Sequence, residues 1–176
     1  MEKVIATGIL AGGNVIVSNQ EEANAIYSKG YFGEMLKGGK LNLALVEALF
    51  LVNREKLKVF EGKKELTFDD LLKKAKKEDK TIFGQYVAYS DLRDRGYIAK
   101  TGYKFGAHFR IYKRGDQPGQ AHSAFLVHTI PEYYPMTMTD VSRFVRLGHS
   151  VKKRMWLAVA DAEGDLTYYE VRRIKP

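Results

Sequence analysis

The chain has 176 residues, of which 45% are hydrophobic and 28% are charged, a composition typical of a globular protein with one ordinary domain or two small ones. It contains no cysteine, which excludes disulfides and thiolate metal sites and fits a reducing cytoplasm, where we expect the protein to work. The formal net charge is +8. Residues 1–80 hold 14 Lys/Arg against 12 Asp/Glu, whereas residues 81–176 hold 15 against 9. This concentration of positive charge favours a polyanionic partner, most commonly nucleic acid; a solvated basic surface is the alternative.

Several other classes of protein lack support in the sequence. No apolar run is long enough to span a membrane, and the beginning, MEKVIATGIL, has no pattern of a cleaved signal peptide. The four histidines show no HxxxH spacing, and neither a P-loop nor a GxGxxG motif occurs. We therefore expect no membrane association, no zinc and no cofactor.

The first elements predict a hairpin followed by a helix. The runs VIATGIL and NVIVSN flank AGG, whose glycines can adopt the positive φ of a tight turn. A short helix is then expected over 21–29, ended by Gly30.

The next elements extend this first domain. LNLALVEALFLV (41–52) predicts a mostly apolar helix, and LKVFEG (57–62) predicts a strand. Thr67 is expected to cap the helix FDDLLKKAKK, which has acids in its first turn and lysines in its last. The polar run KKAKKEDK (73–80) is the best position for a domain boundary, although a solvated helix end explains it equally.

The second half alternates helices and strands. FGQYVAYSDLRDRG predicts a helix ended by Gly96, and Thr137 with Asp140 predicts a capping box that begins a helix over 137–153. The predicted strands are YIAKTG, AHFRIYK, AFLVHTI, RMWLAVAD and LTYYEVRRI, the last two joined by the turn AEGD. We therefore predict an α/β protein with an α+β N-terminal domain (1–80) and an α/β C-terminal domain with a mixed sheet (81–176).

Three residues of the second half supply the chemistry of metal-free phosphodiester cleavage. This reaction needs a base, an acid and a cation, and Tyr112, His122 and Lys153 are candidates for these roles. Tyr112 ends one predicted strand and His122 precedes the next, with a Gly- and Pro-containing loop between them. Each also has an ordinary explanation, because strand tyrosines are mostly core residues, loop histidines are mostly inert and a lysine at a helix C-terminus complements the dipole.

The predicted helix over 137–153 adds a basic stripe. At 100° per residue, Arg146 and Lys153 lie roughly 20° apart around an ideal helix, and Arg143 falls near the same face. Such a stripe suits phosphate or RNA.

The turn between the last two strands offers a rival site. Asp161, Glu163 and Asp165 have the oxygen ligands that Mg²⁺ requires in a metal-dependent nuclease. Acids around a glycine between two strands are more often a simple hairpin turn.

Longer motifs identify a family. YSDLRDRGYIAKTGYKFGAHFRIYKRG, AHSAFLVH and VRLGHSVKKRMWLAVADAEGDLTYYEV closely resemble the archaeal tRNA-splicing endonucleases, or tRNA-intron lyases, over nearly all of residues 84–171. IYSKGYFGE and LALVEALFLV resemble the N-terminal domain of this family more loosely. The resemblance implies that the C-terminal domain is a catalytic nuclease domain.

The resemblance also implies a role for each residue of the trio. Tyr112 would be the general base on the 2′-hydroxyl, His122 the general acid on the 5′-oxygen, and Lys153 the cation that stabilises the transition state. The products would be a 2′,3′-cyclic phosphate and a 5′-hydroxyl, formed without metal. A neutral phenol is a weak base, so this role implies nearby cations, such as Lys153, that favour the phenolate.

The family binds the bulge–helix–bulge of precursor tRNA and grips a bulge base between two arginines. Arg146 matches the first by its place before Lys153, Arg172 or Arg173 matches the second, and Arg143 is a further candidate for RNA binding.

The family acts as a dimer of dimers or an equivalent assembly. The loop TIPEYYPMTMTD, whose counterpart docks into another subunit of homotetramers, is only weakly acidic, with Glu132 and Asp140. A homotetramer and a complex with a second related subunit both stay open, and the strand LTYYEV is a candidate for the subunit contact. A noncatalytic RNA-binding scaffold subunit is the alternative function.

Overall fold

The computed structural model describes residues 5–176 and divides the chain into two compact units, one ending at Tyr86 and the other beginning at Val87. Each unit contains one mixed sheet with helices packed against it, which confirms the prediction of an α/β protein. Val4, the first residue of the predicted hairpin, lies outside the described residues. No helix in the described range is long and apolar enough to cross a membrane.

The first unit is built on a six-stranded sheet in the order β3-β4-β2-β1-β5-β6, in which β1 and β5 are parallel and the other pairs are antiparallel. Its elements are β1 (Ala6–Ala11), β2 (Asn14–Val17), α1 (Gln20–Gly30), β3 (Glu34–Met35), β4 (Leu41–Ala44), α2 (Leu45–Asn53), β5 (Leu57–Glu61), β6 (Lys64–Leu66), α3 (Phe68–Glu78) and the beginning of α4 (Ile82–Asp94). Fully buried residues from five of these elements form its core: Val15, Leu43, Leu49, Val59 and Leu71.

The hairpin prediction is confirmed. β1 and β2 pair antiparallel, with Ala11 opposite Asn14, and the two residues between them are Gly12 and Gly13, at φ of 55° and 85°. A side chain at either position would strain this turn, which is why the sequence has two glycines there.

The predicted helix over 41–52 is wrong in its first third. Residues 41–44 form β4, which pairs with β2, and α2 begins only at Leu45. Leu41 and Leu43 point into the core. Their two-residue alternation is short and runs directly into the mostly apolar helix, so the sequence does not mark the change from strand to helix. The carboxylate of Glu47 accepts the backbone N–H of Ala44 at 3.0 Å, which fixes the beginning of the helix.

The predicted end of the first helix is also displaced, by one residue. α1 ends at Gly30 and is capped by Tyr31, which adopts the left-handed conformation at φ 56° and donates its backbone N–H to the carbonyl of Tyr27. Gly30 is needed for a different reason, because a Cβ there would lie 2.4 Å from the ring of Phe32.

The second unit contains a five-stranded sheet in the order β11-β10-β9-β8-β7, in which β9 and β10 are parallel and the other pairs are antiparallel. Its elements are the end of α4, β7 (Ala99–Thr101), a 3₁₀ turn (Tyr103–Phe105), β8 (Phe109–Ile111), β9 (Phe125–Pro131), α5 (Met138–Ser150), β10 (Arg154–Ala160) and β11 (Leu166–Val171). α5 connects the two parallel strands and packs on the sheet through Phe144, against Leu126, Met155 and Leu157.

The capping predictions are confirmed. The hydroxyl of Thr67 accepts the N–H of Asp70 at the beginning of α3, and the hydroxyl of Thr137 accepts the N–H of Asp140 at the beginning of α5. Each carboxylate accepts a backbone N–H in return, and these hydrogen bonds lower the pKa of both carboxyl groups.

α5 ends three residues earlier than the sequence predicts. Lys152 adopts the left-handed conformation at φ 54°, Lys153 donates its backbone N–H to the carbonyl of Gly148, and Lys152 donates to that of His149. These two bonds form a Schellman motif, which closes the helix although no glycine occupies the left-handed position. Arg146 and Lys153 therefore do not share a helical face, and that prediction is wrong, since Lys153 lies beyond the helix.

Candidate active site

Tyr112, His122 and Lys153 lie at one edge of the second sheet. Tyr112 directly follows β8, Lys153 directly precedes β10, and His122 lies three residues before β9. β8 runs antiparallel to β9 and β9 runs parallel to β10, so the end of β8 and the beginnings of β9 and β10 meet at this edge. Tyr112 and Lys153 flank β9, so their Cα atoms are about two strand spacings apart, roughly 10 Å.

Lys153 is held in place by two contacts. Its Nζ donates a short hydrogen bond, 2.5 Å, to the carbonyl oxygen of Ser123, and lies 5.2 Å from the centre of the Phe105 ring. Burial lowers the pKa of Lys153, and the positive charge of Arg110 lowers it further. The ammonium is therefore fixed at the sheet edge, next to a second cation.

The bond from Lys153 to Ser123 connects two members of the trio. Ser123 is buried and directly follows His122, so the lysine anchors the end of the loop that carries the histidine. His122 itself is exposed, whereas Tyr112 is buried with 4% of its surface accessible. The structure thus brings the backbones of the three residues to one edge, with the imidazole open to solvent.

A basic cavity of about 660 Å³ adjoins this edge. Seven charged or titratable side chains in it are cationic or can become so, and one is acidic; they are Lys113, His149, Lys152, Lys153, Arg154, Arg172, Arg173 and the acid Glu170. Glu170 is already bound to Arg154 and accepts the indole N–H of Trp156, which lowers its pKa. The cavity therefore keeps an excess of positive charge, and the two C-terminal arginines share it with Lys153.

The other two candidate arginines line a separate cavity of about 580 Å³, formed by α5 and the sheet with His128 and Phe144 in its wall. Arg143 is 62% exposed, forms an ion pair with Asp140 at 3.3 Å and lies over the Phe144 ring at 5.2 Å. Arg146 is exposed on the same helix. The four arginines are therefore divided into two pairs, of which the C-terminal pair shares a cavity with Lys153.

The rival acidic site is a hairpin turn. One carboxylate oxygen of Asp161 accepts the backbone N–H groups of Glu163 and Asp165, both at 2.9 Å. Gly164, at φ 91°, completes the reversal between β10 and β11. This carboxylate is occupied by the turn, as the simpler explanation of the sequence expected.

Sequence reasoning missed the residues that surround Lys153. Ser123 contributes only a backbone oxygen and Phe105 only a ring, and no sequence pattern signals either contact. Arg110 gave one available signal, since it is two residues before Tyr112 on the same predicted strand, and alternation places their side chains on the same face.

A basic sheet edge with a phenol, an imidazole and an ammonium defines a candidate nucleic-acid-cleaving protein. Comparison with known proteins agrees. Residues 82–168 match the model of the tRNA intron endonuclease catalytic C-terminal domain, and residues 6–72 match that of the N-terminal domain of the same family. The chain belongs to the tRNA intron endonuclease family.

Curated relatives named tRNA-splicing endonuclease are similar over most of the chain. That of Thermococcus gammatolerans is 41% identical over 94% of this chain and 96% of its own length, and that of Pyrococcus abyssi is 39% identical over 99% of both. The protein of Methanosarcina mazei is 40% identical over 92% of this chain, which spans only 46% of that longer relative.

Proposed function

We propose that this chain is a metal-independent endoribonuclease that excises introns from precursor tRNA at bulge–helix–bulge motifs, working in the cytoplasm. Its catalytic nuclease domain is the C-terminal one, proposed from the sequence to cover 81–176. The observation that best supports the proposal is the position of Lys153, whose ammonium is bound to Ser123 at the edge where Tyr112 and the His122 loop also lie.

In the proposed reaction, the phenolate of Tyr112 removes the proton of the 2′-hydroxyl that precedes the scissile phosphate. The 2′-oxygen then forms a bond to phosphorus while the bond from phosphorus to the 5′-oxygen breaks. Protonated His122 gives its proton to that leaving oxygen, and Lys153 stabilises the negative charge that builds on the phosphoryl oxygens. The products are a 2′,3′-cyclic phosphate and a 5′-hydroxyl.

The unpaired bulge suits this chemistry. An unstacked nucleotide can be splayed out so that its 2′-oxygen, the phosphorus and the leaving oxygen fall in line, whereas a paired nucleotide in an A-form helix cannot. We assign the grip on the bulge base to Arg146 with Arg172 or Arg173, and a phosphate contact to Arg143. Arg172→Ala and Arg173→Ala distinguish the two candidates. The variant that removes the gripping arginine should weaken RNA binding about 10-fold or more, since each stacked base is worth about 1–3 kcal/mol.

The alternative, a noncatalytic RNA-binding scaffold, is separated from the enzyme by two variants. We expect His122→Ala and Lys153→Ala to lower single-turnover cleavage of a precursor tRNA by about 100-fold or more, while binding of the RNA changes little. Lys77→Ala is the control, because Lys77 is an exposed lysine on α3 of the first unit and takes no part in the basic cavity. Unchanged cleavage by both site variants would eliminate the catalytic role.

Two cleavages per intron imply two active sites, so we propose a dimer of dimers. The loop TIPEYYPMTMTD does not identify the partner subunit. Asp140 is already bound by Thr137 and Arg143, so Glu132 is the remaining acid of this loop. A homotetramer and an assembly with a second related subunit are both compatible with this loop.

A further inference from the structure

Arg110 is a cation that forms no ion pair with an acidic side chain among the described residues. It lies in β8, directly opposite Lys100 of β7 on one side and Leu126 of β9 on the other. Its Nε is buried and lacks a hydrogen-bond partner within residues 5–176. A buried guanidinium nitrogen without a partner is unfavourable, since it has lost its hydration without replacement.

The sheet places this unpaired charge beside the candidate site. Residues directly opposite each other in a sheet share a face, so Arg110, Leu126 and Met155 form one row on the face that α5 covers. Tyr112 is two residues after Arg110, directly beyond the end of β8, and alternation directs its side chain to the same face as that of Arg110.

The positive charge of Arg110 affects the pKa of Lys153. Lys153 lies two residues before Met155 and therefore on the same face, and the positive charge of Arg110 adds to burial in lowering the pKa of Lys153. Lys100, which is 5% exposed, adds a third cation opposite Arg110. Like charges in these positions repel each other in the free protein, and a bound anion turns that repulsion into attraction.

We propose that Arg110 supplies a second positive charge to the scissile phosphate, so that Lys153 and Arg110 together stabilise the transition state. This inference rests on the proposed function. The phosphoryl group carries one negative charge in the substrate and more in the transition state, so a second cation contributes more to the transition state than to binding. The effect of losing Arg110 should therefore fall on kcat rather than on KM.

The test compares Arg110→Gln with Arg110→Lys, which keeps the charge. We expect Arg110→Gln to lower kcat on a precursor tRNA by about 10- to 100-fold with KM within about threefold, and Arg110→Lys to recover most of the rate. Arg95→Gln is the matched control, since Arg95 is ion-paired with Asp91 at 2.7 Å. This variant should cleave the RNA at the wild-type rate.

Two results would overturn the inference: a wild-type kcat for Arg110→Gln, or equal losses in Arg110→Gln and Arg110→Lys, which would indicate a role of shape instead of charge. If Arg110→Gln does not fold, Arg110→Lys decides alone, because retained kcat supports the charge role and lost kcat contradicts it. His122→Ala in the same assay separates the two claims. If His122→Ala cuts normally, the proposed function fails; if only Arg110→Gln does, the role of Arg110 alone fails.

Discussion

His128 is a histidine that the fold keeps neutral. Its ring stacks on that of His108 at 4.1 Å between centroids, and the backbone N–H of Thr129 donates to Nδ1 of His108. Burial, together with the charges of His108 and Arg143, lowers the pKa of His128 from 6.5 to about 4. A proton on His128 would add a positive charge near the guanidinium of Arg143 on α5.

The pKa of His128 predicts an acid-sensitive fold. The unfolded chain binds the proton near pH 6.5 and the folded chain near pH 4, so protons favour the unfolded state between these values. As the pH is lowered from 6.5 to 4, we expect the free energy of unfolding to fall by on the order of 2 kcal/mol. Chemical denaturation at a series of pH values measures this change. His128→Leu should remove this contribution, whereas His149→Gln, at an exposed position, should retain it. Equal pH dependence in wild type and His128→Leu would contradict the assignment.

At the scale of elements, the junction from α5 to β10 positions Lys153. A Cβ on Gly148 would lie 2.8 Å from the carbonyl oxygen of Lys153 and 3.2 Å from Cβ of Met155. The helix and strand can approach this closely only because residue 148 has no side chain.

Gly148→Ala should therefore push the helix end away from β10. We expect a loss of about 1–3 kcal/mol in stability and a lower cleavage rate, because Lys153 shifts with its backbone. Gly84→Ala in α4 is the control: nothing lies within 4 Å of a Cβ there, so the same substitution should stabilise by about 0.5–1 kcal/mol. Thermal denaturation of both variants measures the difference, and a neutral Gly148→Ala would refute the packing argument.

The elements also show where sequence reasoning stops. Turn glycines and capping boxes are local signals, and the hairpin at Gly12 and the boxes at Thr67 and Thr137 were predictable from them. The run over 41–52 was not, because apolar residues on all sides hide the change from strand to helix until the pairing with β2 is known. The end of α5 was missed because its left-handed residue is Lys152 rather than glycine.

At the scale of the whole molecule, the residue types of the trio and the family motifs were enough to predict the three candidate catalytic residues. The contacts around Lys153 could not be predicted, because they depend on the tertiary fold. Lys153 binds a backbone carbonyl 30 residues away in sequence, and the charge of Arg110, on the other side of β9, lowers the pKa of Lys153. Such contacts join positions whose proximity only strand order and register define. The roles of Tyr112, His122, Lys153 and the arginines stay predictions until they are measured.

The assembly is a prediction at this same scale. In β11, the hydroxyl of Tyr168 donates to Asp91 at 2.7 Å within its own unit, whereas Tyr169 is 54% exposed on this edge strand and free to meet another subunit. We expect a native mass of about four times the 20.0 kDa chain, and a lower mass for Tyr169→Glu. A smaller wild-type species that cuts only after a related subunit is added would identify the mixed assembly instead.

The most direct measurement is single-turnover cleavage of a precursor tRNA with a bulge–helix–bulge, in EDTA, with the new ends identified. We expect undiminished cleavage that leaves a 2′,3′-cyclic phosphate and a 5′-hydroxyl, and no cleavage when the 2′-hydroxyl before the scissile phosphate is replaced by hydrogen. Cleavage that is lost in EDTA, that leaves a 5′-phosphate, or that continues on the 2′-deoxy substrate would contradict the proposed mechanism.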